Sequence, residues 1–518
     1  MRNAISRSQL AVALVLLSAV SAFGQSGQSA ATTRRLSVDD AVRLAVEQNL
    51  GIRIERLNPE IQDVAIAQTR SSWAPSLTSS LTRTSIDSAP TNVFAGGLDK
   101  ISDSRIQTSA GITQVLPTGA DYTFTWANSR FASSNFFNTF NPQLVSTVTF
   151  DFTQPLLRNF KMDNVRQQLE INRKFRENSD VTLAATITQT VRNVKNAYWD
   201  LAFAINNLNA QRQSLDLSKR LLADNEKRVQ IGTMAPIDIV EAQSEVARND
   251  ESVIVAEAAI KSAEDRLRAL IFDPAAPDFW TITIEPSDAA PFQAQAIDTE
   301  GAVRRALDNR TDVKQAKNGL ERNDVSIRYL RNQLLPDVNA NVTYRGDGTG
   351  GTRYRTNAAA VLAGGELTRE VLSERSYGAV LGDTFGNAFP TWTFGVQIGY
   401  PLGTSTQEAN LARARLEYSQ AQTQLRNLEL QVATQVREAA RTVQTNQKRV
   451  DSTRAARELA ERRLEAAEKK FAAGIETSFF VFQAQRDLAQ ARTSEVRAIS
   501  DYNKSLVDFE AVQEVPLR

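Results

Sequence analysis

At 518 residues the chain exceeds what one hydrophobic core usually organises, so it is either several domains or one elongated, repetitive architecture. It contains no His and no Cys, which removes imidazole acid–base chemistry, thiol nucleophiles, disulfides and the usual zinc ligands. Sixty Lys and Arg stand against fifty-nine Asp and Glu, leaving no net field to hold nucleic acid or an anionic surface.

The N-terminus reads as an address. Arg2 and Arg7 form a basic stretch, Leu10 to Val20 a short apolar one, and Ala22-Phe23-Gly24 has small residues where signal peptidase prefers them. Residues 1–24 are therefore expected to be a cleavable signal peptide, and a mature chain without Cys has no residue to acylate as a lipoprotein. No later stretch reaches the roughly 18 to 20 apolar residues of a membrane-spanning helix, so any membrane passage is expected to be by β-strands.

An internal duplication organises the rest. Residues 41–82 align without a gap on residues 302–343, at an offset of 261, with eleven identities in forty-two positions, among them Glu60/Glu321, Asp63/Asp324 and Pro75/Pro336. Pro155 then matches Pro401 at an offset of 246, and Gly232 matches Gly474 at 242. The first repeat is thus fifteen residues longer between its two prolines and four longer between proline and glycine. The expected division is a first repeat over 25–272, a connector over 273–298 and a second repeat over 299–518.

Each repeat reads in the same order. A helical pattern (Ser37 to Trp73; Thr299 to Leu334) stops at a proline. Strand regions follow, about 76–154 and 337–400. Val338, Ala340, Val342 and Tyr344 alternate with polar neighbours, as do Trp392, Phe394, Val396, Ile398 and Tyr400; Tyr122, Phe124, Trp126 and Val148, Phe150, Phe152 do the same in the first repeat. Period two over about ten residues suits a strand crossing an outer membrane, apolar side chains to lipid and polar ones to the lumen, and it also suits an ordinary β-sandwich face. Long helical hairpins are expected over 156–272 and 402–512, with apolar residues such as Val191, Val194, Tyr198 and Leu201 at coiled-coil spacing. The connector holds Pro274, Pro277, Pro286 and Pro291 and one strand candidate, Trp280 to Ile284. Leu116-Pro117-Thr118-Gly119 signals a tight turn that would give the first repeat four strands. The expectation preferred is four strands per protomer, with an elaborated segment from Ile86 to Arg130.

Signal peptide, tandem duplication, strand pairs between long helices and the segments QPLL (154–157) and YPLG (400–403) together resemble the TolC family of outer membrane efflux proteins. The tip segments KRVQIGTMAPIDIVEAQ (227–243) and KKFAAGIETSFFVFQAQ (469–485) resemble that family's helix–turn–helix tips. The resemblance covers nearly the whole mature chain. It implies an α+β membrane protein in two tandem repeats: a homotrimer whose strands share one transmembrane β-barrel in outer membrane lipid and whose helices form a long coiled-coil tunnel in the periplasm. It implies an exit duct of a tripartite efflux or type I secretion system, with a periplasmic adaptor and an inner-membrane pump, proton-driven or ABC-type, as partners. No cofactor, nucleic-acid partner or catalysis is expected. A periplasmic adaptor and a porin are the competing readings.

In the family, acidic residues close the tip. Asp238 matches the first-repeat aspartate six residues after the turn glycine, and Glu241 adds a carboxylate one helical turn on. The second repeat departs from the pattern: Phe471, Glu476, Phe480 and Gln483 stand where the family has tyrosine, arginine and two aspartates. The expected gate therefore combines Asp238 and Glu241 with a constriction of Phe479, Phe480 and Phe482. Acidic rings select cations and phenylalanine rings close by dewetting. The competing reading has Asp238 favoured merely by its place at a helix N-terminus and the phenylalanines packing between helices. The turns themselves, Gly232, Thr233, Met234, Gly474, Ile475 and Thr477, are candidate adaptor contacts, or simple chain reversal.

Overall fold

A computed structural model describes residues 33–91, 99–288, 292–357, 368–403 and 405–514, so the signal-peptide reading of residues 1–24 lies outside the described residues. The first repeat opens with strand β1 (Thr33–Leu36) and helices α1 (Val38–Gln48) and α2 (Leu50–Ser71). The second opens with α5 (Thr299–Asn309) and α6 (Thr311–Gln333). The single helix expected at each of these places is two, broken at Asn49 and Arg310, which are equivalent at the 261-residue offset. Asn49 takes an extended ψ of 125° and its side chain accepts from Ile52 N–H, so it ends one helix and caps the next. The apolar spacing runs through the break, which is why the pattern alone does not show it.

Strands follow each helix pair. The first repeat supplies β2 (Ser76–Ser88), β3 (Ile101–Val115), β4 (Asp121–Ser133) and β5 (Phe140–Pro155). The second supplies β7 (Asp337–Thr356), a short β8 (Arg369–Arg375), helix α7 (Tyr377–Phe385) and β9 (Pro390–Gly399). All seven strands form one antiparallel sheet in the order β2-β3-β4-β5-β7, with β9 on the lower half of β7 and β8 on its upper half. The preferred count of four strands is overturned, because the first repeat, a net fifteen residues longer between its prolines, carries a β3–β4 hairpin that joins the sheet. Its turn is the Leu116–Gly119 signal: Gly119 sits at φ +84°, and Leu116 N–H donates to Ala120 O at 2.7 Å. A side chain there would meet Asn159 O at 2.7 Å as well as the left-handed backbone, so glycine is required.

After the strands come the long hairpins, α3 (Asn164–Gln230) with α4 (Ile237–Ile271) and α8 (Thr406–Ala472) with α9 (Ser478–Gln513). Both α3 and α8 run 67 residues without an internal Gly or Pro, which is about 100 Å at 1.5 Å per residue. Asp163 caps α3 and a Ser405/Glu408 capping box starts α8. The four-residue excess of the first repeat therefore lies in residues 156–163, ahead of the helix. Ion pairs Arg192–Asp508 (2.6 Å) and Lys504–Asp200 (2.8 Å) join α3 to α9, so the helical layer runs α4-α3-α9-α8.

The connector is more than a link. Its strand is β6 (Thr283–Pro286), not Trp280–Ile284, and it pairs in parallel with β1. Phe279, Ile282 and Ile284 pack with Tyr198, Leu201, Leu267 and Ile271 in one cluster. Tyr198 is fully buried; its Oη lies 3.0 Å from Leu36 O and accepts from Asp288 N–H at 3.1 Å. Burial pushes its phenol up to about 12. Among the described residues no helix is long and apolar enough to cross a membrane.

Candidate functional site

The strand register sorts the sheet into two faces. Leu77, Ile112, Phe124, Phe150, Tyr344 and Trp392 are linked across six strands, each the partner of the next. Two or four positions along the strands, on the same face, stand Leu81, Tyr122, Trp126, Phe152, Val342, Phe394 and Val396, so one face carries an apolar belt across these six strands. The intervening residues give the other face: Thr78, Ser80, Gln107, Ser109, Thr123, Thr147, Asp151, Thr343, Arg345 and Asp347. On it Thr343 Oγ1 donates to Asp151 at 2.7 Å, Thr147 Oγ1 donates to Asp347 at 2.8 Å, and Arg345 pairs with Asp347 at 2.9 Å. An apolar face to lipid and a polar one to water is the pattern of a membrane barrel wall.

At the far end of the molecule the helix tips are two copies of one turn. Gly232 (φ +74°) and Gly474 (φ +73°) occupy the left-handed region just past α3 and α8. Thr233 N–H donates to Arg228 O and Ile475 N–H to Lys470 O, both at 2.9 Å, the long-range bond of a Schellman cap. Thr233, Gly232, Gly474, Ile475 and Thr477 are exposed, whereas Met234 turns inward onto the apolar tip cluster.

The gate residues divide. Phe482 is 2% exposed and packs with Leu221, Ala242, Leu464, Phe471, Val481 and Leu488, so the expected place for it in a constriction is corrected: it holds the four tip helices together. Phe479 and Phe480 are about half exposed and meet edge to face at 5.7 Å between centroids. Asp238 lies half-buried in the first turn of α4 but makes no side-chain cap, and Glu241 is exposed. Gly232 and Gly474 fix the local offset at 242, which makes Asp238 equivalent to Phe480 and Glu241 to Gln483.

Apart from Phe471, the links between tip helices come from residues that the sequence motifs did not single out. Arg228 of α3 stacks its guanidinium 4.3 Å from the Phe471 ring of α8. The buried carboxylate of Glu245 on α4 accepts from Arg486 of α9 at 3.1 Å, with Arg248 at 3.3 Å. Its repeat equivalent, Asp487, pairs with Arg463 at 2.7 Å, so the internal alignment was the signal that could have found both. Nearby, burial and then the Glu465 carboxylate push Glu468 above the ordinary range. Among the described residues no cluster of His, Cys, Asp and Glu is arranged to hold a metal ion.

A two-faced antiparallel sheet continuing into helices about 100 Å long is the architecture of an outer membrane channel. Residues 42–271 and 302–512 match the family model for outer membrane efflux proteins, and the chain belongs to that family. Among solved structures it is similar to the outer-membrane channel OprN (16% identity, TM-score 0.63, covering 92% of this chain and 89% of that one). It is also similar to the Campylobacter jejuni CmeC channel (14%, 0.62, 92% and 85%) and to VceC of Vibrio cholerae (15%, 0.62, 92% and 96%). Among curated proteins, no sequence matches the chain. The family and the fold agree on an outer membrane efflux channel.

Proposed function

We propose that three copies close into one duct that passively conducts cargo outward from an inner-membrane pump, as the outer membrane component of a tripartite efflux or type I secretion system. One observation carries this reading: among the described residues the protomer is an open slice, with β2 and β9 each paired on one side only in the sheet and with α4 and α8 at the two ends of the long-helix layer. An open sheet edge in lipid leaves backbone groups unsatisfied at several kcal/mol each, so β2 of one copy must meet β9 of the next.

A second feature supports closure with copies of the same chain. Leu50, Ile54, Leu57, Ile61 and Val64 form an exposed apolar stripe on α2 at three- and four-residue spacing. The equivalent face of α6 is covered within the protomer, where Gln315 donates to Thr182, Asn318 donates to Asn178, and Arg322 stacks on Phe175, all on α3. By repeat symmetry the α2 stripe takes α8 of the neighbouring copy, whose Leu416 and Leu430 are exposed. Six long strands per copy give a barrel of eighteen, and strand number sets diameter.

At the tip, alternation of Asp238 with its repeat equivalent Phe480 around the axis gives a gate that is both acidic and apolar, with Glu241 and Phe479 beside it. The exposed turn residues Gly232, Thr233, Gly474, Ile475 and Thr477 suit docking of a periplasmic adaptor, with Met234 bracing the turn from below. Light scattering of the protein extracted from outer membranes, corrected for detergent, tests the assembly: a trimer is expected, and a stable monomer overturns the duct. For the gate, Asp238→Ala with Glu241→Ala is expected to abolish cation preference in single-channel recordings; unchanged preference removes the acidic gate.

A further inference from the structure

Helix α7 interrupts the outermost strand. β8 leaves β7 at Arg375 opposite Gly351, and β9 rejoins it at Pro390 opposite Gly346, so fourteen residues loop out where four strand positions are skipped. They fold back onto the sheet. Gly346, Gly348 and Gly350 point to the same face as Tyr344 and form a trough: a Cβ on Gly348 would lie 2.2 Å from Val380 O, and one on Gly350 2.4 Å from Val380 Cγ2. Val380 and Thr384 fill the trough, Thr384 Oγ1 lies 3.1 Å from Ser146 O and 2.8 Å from Val380 O, and the Phe385 ring meets Trp126 edge-on at 5.9 Å. Helix α7 therefore lies on the apolar face of the sheet.

The side chains flanking the trough-filling pair are apolar as well: Tyr377, Leu381 and Phe385 follow one another at four-residue spacing beside Val380 and Thr384, Tyr377 and Phe385 are exposed, and exposed Phe389 follows the helix. The helix has a single charge, Asp383, paired with Arg375 at 2.7 Å. A short helix with exposed aromatic rings and its one charge already paired is unsuited to water. Its height also fits lipid. Ten residues of β7, from Asp337 to Gly346, rise about 34 Å along the strand, or roughly 25 Å of membrane at a 40° tilt, the height of the apolar band. The trough begins at the outer rim of that band. From Gly350 the register passes through Leu144, Arg130 and Ile106 to Arg83, which puts the exposed Arg130 and Arg83 on the same face.

We propose that α7 is an interfacial helix seated in the outer leaflet, its Tyr377–Leu381–Phe385 stripe against acyl chains and Arg83 and Arg130 reaching anionic headgroups, fixing the height of the barrel in the membrane. The proposal rests on the reading of the apolar sheet face as the lipid face. Because the chain has no Cys, single-cysteine variants can carry a nitroxide label in the intact assembly. Leu381→Cys and Phe385→Cys probe α7, with Phe394→Cys as reference for the apolar face and Thr393→Cys for the polar one. In vesicles of phosphatidylethanolamine and phosphatidylglycerol, collision rates with oxygen and with a water-soluble nickel chelate are compared. The expected oxygen-to-nickel ratio at both α7 sites is several-fold above that at Thr393 and close to that at Phe394. A ratio like that of Thr393 overturns the proposal by placing α7 in water, and labels reached by neither reagent overturn it by placing α7 under a neighbouring protomer. A water-like ratio at Phe394 itself would instead sink the lipid-face reading beneath it. Gly348→Val tests the seat: loss of the immobilised spectral component at Phe385 is expected, and an unchanged spectrum rules the trough out as what holds α7.

Discussion

The two repeats differ where they meet the membrane and agree where they run through water. Both long helices have 67 residues, both tips carry a left-handed glycine with the same cap, and both opening helix pairs break at the same position. The strand regions have diverged. In the second repeat β7 pairs directly with β9; in the first, their equivalents β2 and β5 are separated by the β3–β4 hairpin. A helical hairpin must match its neighbours over its full length to share a tunnel wall. A sheet accepts two more strands, provided each keeps the same alternation, because every added strand brings its own hydrogen-bonding partner.

Removing the difference is the strongest test. Deleting residues 101–133 lets β2 pair with β5 as β7 pairs with β9, and the expected assembly is a trimer whose barrel, imaged by electron microscopy, has about two-thirds of the original diameter. Retention of the full diameter would mean that β3 and β4 lie outside the closed wall. Next in size, Ile54→Asp with Ile61→Asp is expected to release folded monomers, seen by native mass. The equivalent change at Gln315 and Arg322 is expected to destabilise the protomer rather than the trimer, because that face is covered within one chain.

Phe482→Ala should cost about 3–5 kcal/mol in unfolding, as for other large core truncations, while Phe479→Ala should leave stability nearly unchanged and alter conductance instead. Equal losses at the two positions would erase the distinction between packing and pore. The smallest effects belong to the shared turns. Gly232→Ala and Gly474→Ala each meet no neighbouring atom but force a side chain into the left-handed region, at about 1–2 kcal/mol apiece. Unequal costs measured by thermal unfolding would show that the two tips are not the same structure.

Much of this molecule is written in its sequence as period and repetition. The absence of Gly and Pro over 67 residues dictates helix, alternation from Val338 to Tyr344 dictates a two-faced strand, and the recurrence of glycine at 232 and 474 dictates matching tips. These are local rules, each satisfied by residues close along the chain. Tertiary structure decided what depends on distant partners. The hairpin signal at Leu116–Gly119 was readable, but whether β3 and β4 joined the sheet depended on register with β2 and β5. Phe480 and Phe482 are indistinguishable in sequence, and only the approach of Leu221, Leu464 and Phe471 from other helices buries one and leaves the other in the open. In the same way the glycines of β7 read as strand weakeners until α7 folds back onto them, because close approach between two backbones is a fact about space that no stretch of sequence contains alone.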